Sequence, residues 1–178
     1  VRLYERLNHW LKSNWKFQAR KNISYHYDLG NQFYREWLDK TMTYSSAIFK
    51  NKKEVLSTAQ TNKYESICKN LNLKEGDSVL EIGCGWGGFA EHAIKTRGVK
   101  LTGLTLSKEQ LDYSKKRMFE LGMADKSSFL LQDYRDEKGV YDGVVSIEMF
   151  EAVGEKYWPM FFKTVKNSLK IGGLGCLQ

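Results

Sequence analysis

Four glycines, Gly83, Gly85, Gly87 and Gly88, stand close together in the run Val79–Ala90 (VLEIGCGWGGFA), where strand-like residues pass directly into a loop. Without a Cβ, glycine accepts positive φ at a tight strand-to-helix turn and leaves backbone N–H groups bare, which suits an anionic or polar cofactor. Gly83, Gly85 and Gly88 also satisfy G-x-G-x-x-G, by itself a weak dinucleotide signal. That reading demands an acidic residue about 20 positions on, at the end of the second strand. The segment in that place, Val99–Thr105, runs instead into Leu106, Ser107 and Lys108, and the first carboxylate, Glu109, already falls inside a helical pattern. Thr105, Ser107 and Gln110 are the hydrogen-bonding groups there, and Ser107 with Gln110 also has capping-box spacing. Capping does not exclude ligand contact.

Other side chains of reactive type are few. Glu148 and Glu151 are three apart; on one helix they share a face, and like charges that close raise one pKa, which is how a general base is made. Cys84 lies inside the glycine loop with no His nearby in sequence, so a small loop residue is the favoured reading over a nucleophile. His26, in YHYDLGN, is either an acid or base or part of a structural His–Tyr–Asp network, the second being favoured. Cys68, Cys84 and Cys176 lack metal-ligand spacing, and no metal site is expected.

The elements that must position these groups alternate after Leu73–Gly76. Strands are expected at Ser78–Ile82, Lys100–Thr105, Ser128–Leu131, Gly143–Ile147 and Leu174–Leu177, with helices near Gly88–Thr96, Lys108–Leu121 and Tyr157–Leu169. Gly122 and the pair Gly172–Gly173 read as terminators of the second and third of these helices. The order βαβαβ gives a parallel sheet whose ligands bind outside the carboxyl ends of the strands. Gly83–Gly88, Thr105–Gln110, Gln132–Asp133–Tyr134 and Glu148 with Glu151 therefore meet at one edge.

The 178 residues carry a net charge of +7 and suffice for one domain plus an N-terminal extension. The first 22 residues hold Arg2, Arg6, Lys12, Lys16, Arg20 and Lys21 against Glu5, interleaved with Leu3, Leu7, Trp10, Leu11 and Trp15. This patch reads as an amphipathic helix at an anionic membrane, as a nucleic-acid contact, or as a solvated helix packed on the domain. The odd cysteine count and the absence of a signal peptide or membrane-length apolar run point to a cytoplasmic setting. The chain begins at Val1 and ends on an apolar run, so it is expected to be a piece of a longer protein.

Four separated stretches, Tyr25–Tyr44 (YHYDLGNQFYREWLDKTMTY), Val79–Ala90, Gly103–Gln110 with Gln132–Asp136 (GLTLSKEQ and QDYRD), and Val145–Gly154 (VSIEMFEAVG), resemble the cyclopropane-fatty-acyl-phospholipid synthase family of S-adenosylmethionine-dependent methyltransferases. The resemblance covers about residues 20–178 and implies a class I methyltransferase fold, Rossmann-like and doubly wound, truncated after the fifth strand. It divides the chain into an N-terminal helical lid on the acceptor side (1–73) and an incomplete S-adenosylmethionine-binding domain (74–178). It places Tyr44 and Ser45 over the cofactor, Gly83, Cys84, Gly85 and Gly87 beside its amino-acid portion, Thr105, Leu106 and Gln110 at the ribose, and Asp133 with Tyr134 around the adenine. Tyr44 and Trp86 offer aromatic faces to a sulfonium cation, and Glu81 orders the loop. Phe33, Tyr34, Trp37 and Phe49 either line an acyl channel or pack a lid helix.

The implied chemistry is attack of a cis alkene of a phospholipid acyl chain on the cofactor's methyl group, followed by proton loss to give a cyclopropane or a methylene branch, the latter reducible elsewhere to methyl. In the resembled family a bicarbonate ion is the base, held by a cysteine after MTYS, a glutamate in FEH and a histidine at the end of strand five. Here Ser46 replaces the cysteine, Glu151 keeps the glutamate with Ala152 after it, and Gln178 replaces the histidine. Ser46 and Gln178 can still hold an anion such as bicarbonate, and Glu151 orients or replaces the base, with Glu148 as a second candidate. The partners implied are phospholipid acyl chains at the inner membrane surface, which selects the membrane reading of the basic patch over nucleic acid; the oligomeric state stays open. Two other functions remain: methylation of another small-molecule acceptor, and a non-catalytic cofactor-binding module at a membrane.

Overall fold

Strand β1 (Ser78–Ile82) is apolar almost throughout because both its faces are covered: Val79 and Leu80 have no exposed surface. It lies at the centre of a computed structural model that describes residues 30–178. The basic stretch of the first 22 residues and His26 lie outside the described residues. Around β1 stand β2 (Lys100–Thr105), β3 (Ser127–Leu131), β4 (Tyr141–Ser146) and β5 (Leu169–Leu177), in the order β3-β2-β1-β4-β5 with every pair parallel. This is the expected doubly wound α/β sheet, and the strand order reverses between β1 and β4, where such sheets bind ligands.

Among the described residues, five α-helices flank the sheet. They are α1 (Gly30–Arg35), α2 (Leu56–Asn70), α3 (Gly88–Arg97), α4 (Lys108–Glu120) and α5 (Trp158–Asn167). On one face Tyr64, Ile67 and Cys68 of α2, Phe89 and Ala93 of α3 and Met118 of α4 pack against Val79, Leu101, Phe129 and Val145. On the other, Phe161 and Val165 of α5 pack against Leu80, Ile82, Leu104 and Val144. A third cluster, Tyr34, Met42 and Trp86, joins α1 and the chain after it to the glycine loop.

Two differences from expectation have physical causes. The last helix stops at Asn167, capped by Ser168, whose N–H reaches Thr164 O at 2.9 Å, and β5 begins at Leu169. Gly172–Gly173 therefore does not end the helix. It forms an irregularity in β5: the register jumps from Tyr141↔Leu169 to Gly143↔Leu174, Gly172 adopts φ +82, and a Cβ on Gly173 would meet Asp142 O at 2.9 Å. The second is the placing of α2, which lies within the expected N-terminal helical segment but whose bounds the apolar pattern does not announce. Its inward positions include Gln60 and Lys63, 1% and 2% exposed, which interrupt the apolar period. Gly122 follows α4 with φ +67, as a terminating glycine should.

Candidate functional site

The loop from Gly83 to Gly88 turns β1 into α3 through three left-handed residues, Gly83, Gly85 and Gly87, at φ +83, +52 and +79. Its N–H groups are not all bare: those of Gly83 and Cys84 bond Leu104 O at 3.0 and 2.9 Å, and that of Gly87 bonds Cys84 O at 3.0 Å. The first two bonds seat the loop against the end of β2. A Cβ on Gly83 would lie 2.9 Å from Met149 Cγ, so the loop also needs glycine to admit the chain after β4.

A cavity opens over this turn, walled by Glu81, Gly83, Cys84, Gly85 and Trp86 from the β1 end and by Thr105, Leu106 and Gln110 from the β2 end. Tyr44 and Ser45 close it from the lid side, Tyr134 from the β3 end, and Glu148 from the β4 end. The wall also holds Gln132, expected at this edge, and Thr43, Tyr64 and Met149, to which sequence reasoning assigns no role in the site. Met149 adjoins Glu148, and reading one position further along that loop would have found it. Gly87, Asp133, Ser46, Glu151 and Gln178 are not part of this wall.

Thr105 and Gln110 are buried, and Thr105 Oγ1 donates to Gln110 Oε1 at 2.8 Å while accepting from Ser107 N at 3.1 Å. Ser107 Oγ accepts from Gln110 N at 3.3 Å, so the N-cap is made. The return arm of a capping box is replaced by Thr105. Asp133 is engaged locally: Oδ1 accepts from Arg135 N and Nε at 2.9 and 2.8 Å, and Oδ2 from Arg135 Nη2 at 2.6 Å. Tyr134 enters the wall with its ring edge-on to Phe161 at 5.4 Å.

Glu81 is 2% exposed, and its Oε2 is buried with no hydrogen-bond partner. Burial pushes this carboxyl well above its usual range, against the charges of Lys63 and Arg117. Such an oxygen calls for a cation or donor from the cavity it lines. Cys84 is buried and its thiol is pushed well up by burial and by Glu81, which makes it a poor nucleophile. Trp86 donates from Nε1 to Asn31 Oδ1 at 2.6 Å, and its ring lies 4.9 Å from that of Tyr34. Arg117 reaches from α4 to Glu91, to Thr41 O at 2.8 Å and to Trp86 O at 3.2 Å, tying the lid segment to the glycine loop. Phe33, Trp37 and Phe49 are about half exposed, whereas Tyr34 is buried.

Glu148 and Glu151 do not share a helix face. Glu148 takes a left-handed backbone at φ +44, and the 3-10 turn that holds Glu151, Phe150–Ala152, begins only after it. Nor does the Glu148 carboxyl rise as a crowded pair would require. Burial disfavours the Glu148 anion, but hydrogen bonds from Ser46 and Gln178, with the charge of Lys63, outweigh it and hold the carboxyl below its usual range. Ser46 Oγ and N lie 2.6 and 2.8 Å from Glu148 Oε1, and Gln178 Nε2 lies 2.9 Å from the same oxygen and 3.1 Å from Ser46 Oγ. Three of the expected catalytic residues thus meet at one atom; all four are exposed, and the fourth, Glu151, makes none of these bonds.

Among the described residues no helix is long and apolar enough to cross a membrane, and no cluster of metal-binding side chains occurs.

Residues 15–178 match the family described as mycolic acid cyclopropane synthetase. A probable fatty acid methyltransferase of Pseudomonas putida is 42% identical over 154 residues, 85% of this chain and 39% of that protein. The cyclopropane-fatty-acyl-phospholipid synthase of Escherichia coli K12 is 42% identical over 153 residues, covering 86% and 39%. The crystal structure of the mycolic acid cyclopropane synthase CmaA1 complexed with SAH and CTAB superposes with a TM-score of 0.86 at 32% identity, over 89% of this chain and 55% of that one. The chain thus spans about two-fifths of the length of the curated relatives it matches.

Proposed function

The chain belongs to the mycolic acid cyclopropane synthetase family, and on that premise we propose that it is an S-adenosylmethionine-dependent C-methyltransferase acting on the cis double bond of an unsaturated phospholipid acyl chain, with Glu148 as its base. The observation that carries the reading is the convergence of Ser46 N, Ser46 Oγ and Gln178 Nε2 on Glu148 Oε1 at the rim of a cavity floored by the glycine loop.

The cavity suits the cofactor. The buried, unpartnered Glu81 Oε2 fits the ammonium of its amino-acid portion, Thr105 and Gln110 fit its ribose, and Tyr134 with Leu106 fits an adenine ring. Trp86 and Tyr44 supply aromatic faces near a sulfonium. When bound, S-adenosylmethionine supplies an electrophilic methyl group to the alkene carbon.

The chain's own residues must then remove one proton from the alkylated, cationic acyl chain. Glu148 is ionised at neutral pH, with three bonds fixing Oε1 and Oε2 left to accept the proton. Loss of that proton from the new methyl closes a ring; a hydride shift from the methyl-bearing carbon to the cationic carbon, followed by loss of a proton from the same methyl, leaves a methylene branch. A fixed carboxylate makes a bicarbonate ion unnecessary, and Ser46 and Gln178, standing where a cysteine and a histidine hold that ion in the resembled family, hold Glu148 instead.

Support for a lipid acceptor comes from the exposed apolar residues of the lid segment, Phe33, Trp37, Tyr44, Ile48 and Phe49, and from the basic first 22 residues, which suit an anionic membrane surface on the cytoplasmic side.

The test is incubation of the full-length protein with vesicles of cis-monounsaturated phospholipid and methyl-labelled S-adenosylmethionine, followed by mass spectrometry of the fatty acids. A labelled gain of about 14 mass units, lost in Glu148→Gln, is expected on general-base grounds; cofactor binding with no lipid product overturns the reading.

A further inference from the structure

Helix α2 turns three polar side chains inward onto the segment that carries Ser45 and Ser46. Gln60 Nε2 donates to Ser45 O at 2.7 Å, Lys63 Nζ donates to Ser45 Oγ and to Ser46 O, the latter at 2.8 Å, and Tyr64 OH pairs with Thr43 Oγ1 at 2.8 Å. Gln60 and Lys63 are i, i+3 and so share a face. Lys63 is 2% exposed, and the contacts of its ammonium are serine oxygens and the Tyr64 ring, 5.1 Å away. Burying a cation on neutral acceptors is unfavourable by several kcal/mol in general, and the fold gains no packing from it that an apolar side chain would not give.

What it does gain is a fixed Ser45–Ser46 turn. Both Ser46 donors aim at Glu148 Oε1 only while the peptide between them and Ser45 is held, and Gln60 and Lys63 of α2 hold it from both carbonyls. We propose that Lys63 is a positioning residue for proton abstraction: it locks the Ser45–Ser46 turn against Glu148 and sets a positive charge behind that turn. The inference rests on the reading of Glu148 as the base.

The charges around Lys63 agree. Burial brings its ammonium down to about 8, and the carboxylates of Glu148, Glu81 and Asp39 oppose that fall. These come from the β4 end, from β1 and from the lid segment, while Arg117 of α4 acts on Glu81 and Tyr64 rather than on Lys63. The same coupling appears from the other side, since Lys63 contributes to holding Glu148 down. The lysine is therefore charged at neutral pH and loses its charge a little above it.

The test combines a readout that needs no turnover with one that does. In the full-length protein carrying 13C-labelled glutamate, the Glu148 carboxyl, assigned by its absence in Glu148→Gln, is titrated in wild type, Lys63→Met and Lys63→Arg. Expected is an upward move of about one pH unit in Lys63→Met, with Lys63→Arg close to wild type. In parallel, kcat and KM are followed from pH 4 to 9 on cis-monounsaturated phospholipid vesicles. Expected are a kcat about tenfold lower in Lys63→Met, an acid limb displaced with the carboxyl, and little change in either KM.

An unmoved Glu148 titration in Lys63→Met, or a lower kcat with its acid limb in place, overturns the proposal and leaves a scaffolding lysine. If Lys63→Met does not fold, Lys63→Gln, which keeps a donor but no charge, takes its place in the titration. A wild type that makes no lipid product overturns the proposed function, while the titration still decides the coupling.

Discussion

Ser46 Oγ and Glu148 Oε1, 102 positions apart in the chain, stand 2.6 Å from each other. The bond joins the segment after the lid helix to the end of the fourth strand, and Gln178 at the end of β5 meets both partners. The carboxylate is at an exposed position but is fixed by three donors, and it caps no helix. Its donors all fall on one oxygen, Oε1.

Glu148→Gln keeps the volume and removes the proposed base. It is expected to lower kcat by about 10²–10⁴, the usual range for a general base, with cofactor affinity by calorimetry unchanged. Glu148→Gly relieves the left-handed backbone and leaves Ser46 N, Ser46 Oγ and Gln178 Nε2 facing open space. Millimolar formate or bicarbonate is then expected to restore a measurable part of the rate. Failure of both anions to do so would count against a proton acceptor at this position.

Glu151→Gln serves as the contrast. Glu151 is exposed on the 3-10 turn after Glu148 and lies outside the cavity wall, so the expected loss in kcat is less than about tenfold. A loss equal to that of Glu148→Gln would move the base from one residue to the other.

Two glycines of the loop separate backbone strain from collision. Gly85 sits at φ +52 with nothing within 4 Å of the place a methyl would take, so Gly85→Ala meets only the left-handed penalty of about 1–2 kcal/mol. Gly83→Ala adds a collision 2.9 Å from Met149 Cγ, beside Glu148. Calorimetry with S-adenosylhomocysteine is expected to show the larger loss of affinity in Gly83→Ala, and equal losses would contradict a loop shaped by its contact with Met149.

Arg117→Met removes the clamp between α4, the lid segment and the glycine loop. It leaves Glu91 and two carbonyls without their guanidinium, at sites only partly exposed. A loss of about 3 kcal/mol follows from breaking such a pair, and scanning calorimetry is expected to show Tm lower by roughly 10 °C.

Lys63 gives a signed pH dependence of stability. Its folded value, about 8, lies below the ordinary 10.5, so between these the unfolded chain holds a proton that the native chain has released. Stability from this group therefore rises with pH across that window. Denaturant titrations of wild type and Lys63→Met at pH 7.5, 8.5 and 9.5 are expected to show the difference moving in favour of wild type as pH rises; a constant difference would show that the lysine titrates normally.

Much of this site was legible because its chemistry depends on backbone geometry that few residue types provide. Gly83, Gly85 and Gly87 stand in a pattern that only a left-handed turn requires, and Thr105 with Gln110 occupies the place where an acid was missing. Glu148 was legible as a candidate from its spacing to Glu151, and Ser46 and Gln178 from the resemblance, but their union was not, since it depends on three loops from distant parts of the chain. Lys63 and Gln60 were invisible for the opposite reason: polar residues at inward helical positions look like the solvated side of a helix that has not been found. Gly172–Gly173 carries the same letters whether it ends a helix or kinks a strand, and only the register between β4 and β5 distinguishes them. Asp133 showed its charge but not that Arg135, two residues on, would absorb it.

The left-handed backbone of Glu148 has an evolutionary consequence. At φ +44 a glycine would sit without strain, and the codons of glutamate and glycine differ by a single base at the second position. On the reading of Glu148 as the base, a single nucleotide change thus removes the chain's own proton acceptor and leaves Ser46 and Gln178 to hold one from solution. The anion-rescue experiment on Glu148→Gly measures how much rate separates the two forms, and hence how readily a lineage could pass between independence from the cell's carbonate pool and reliance on it.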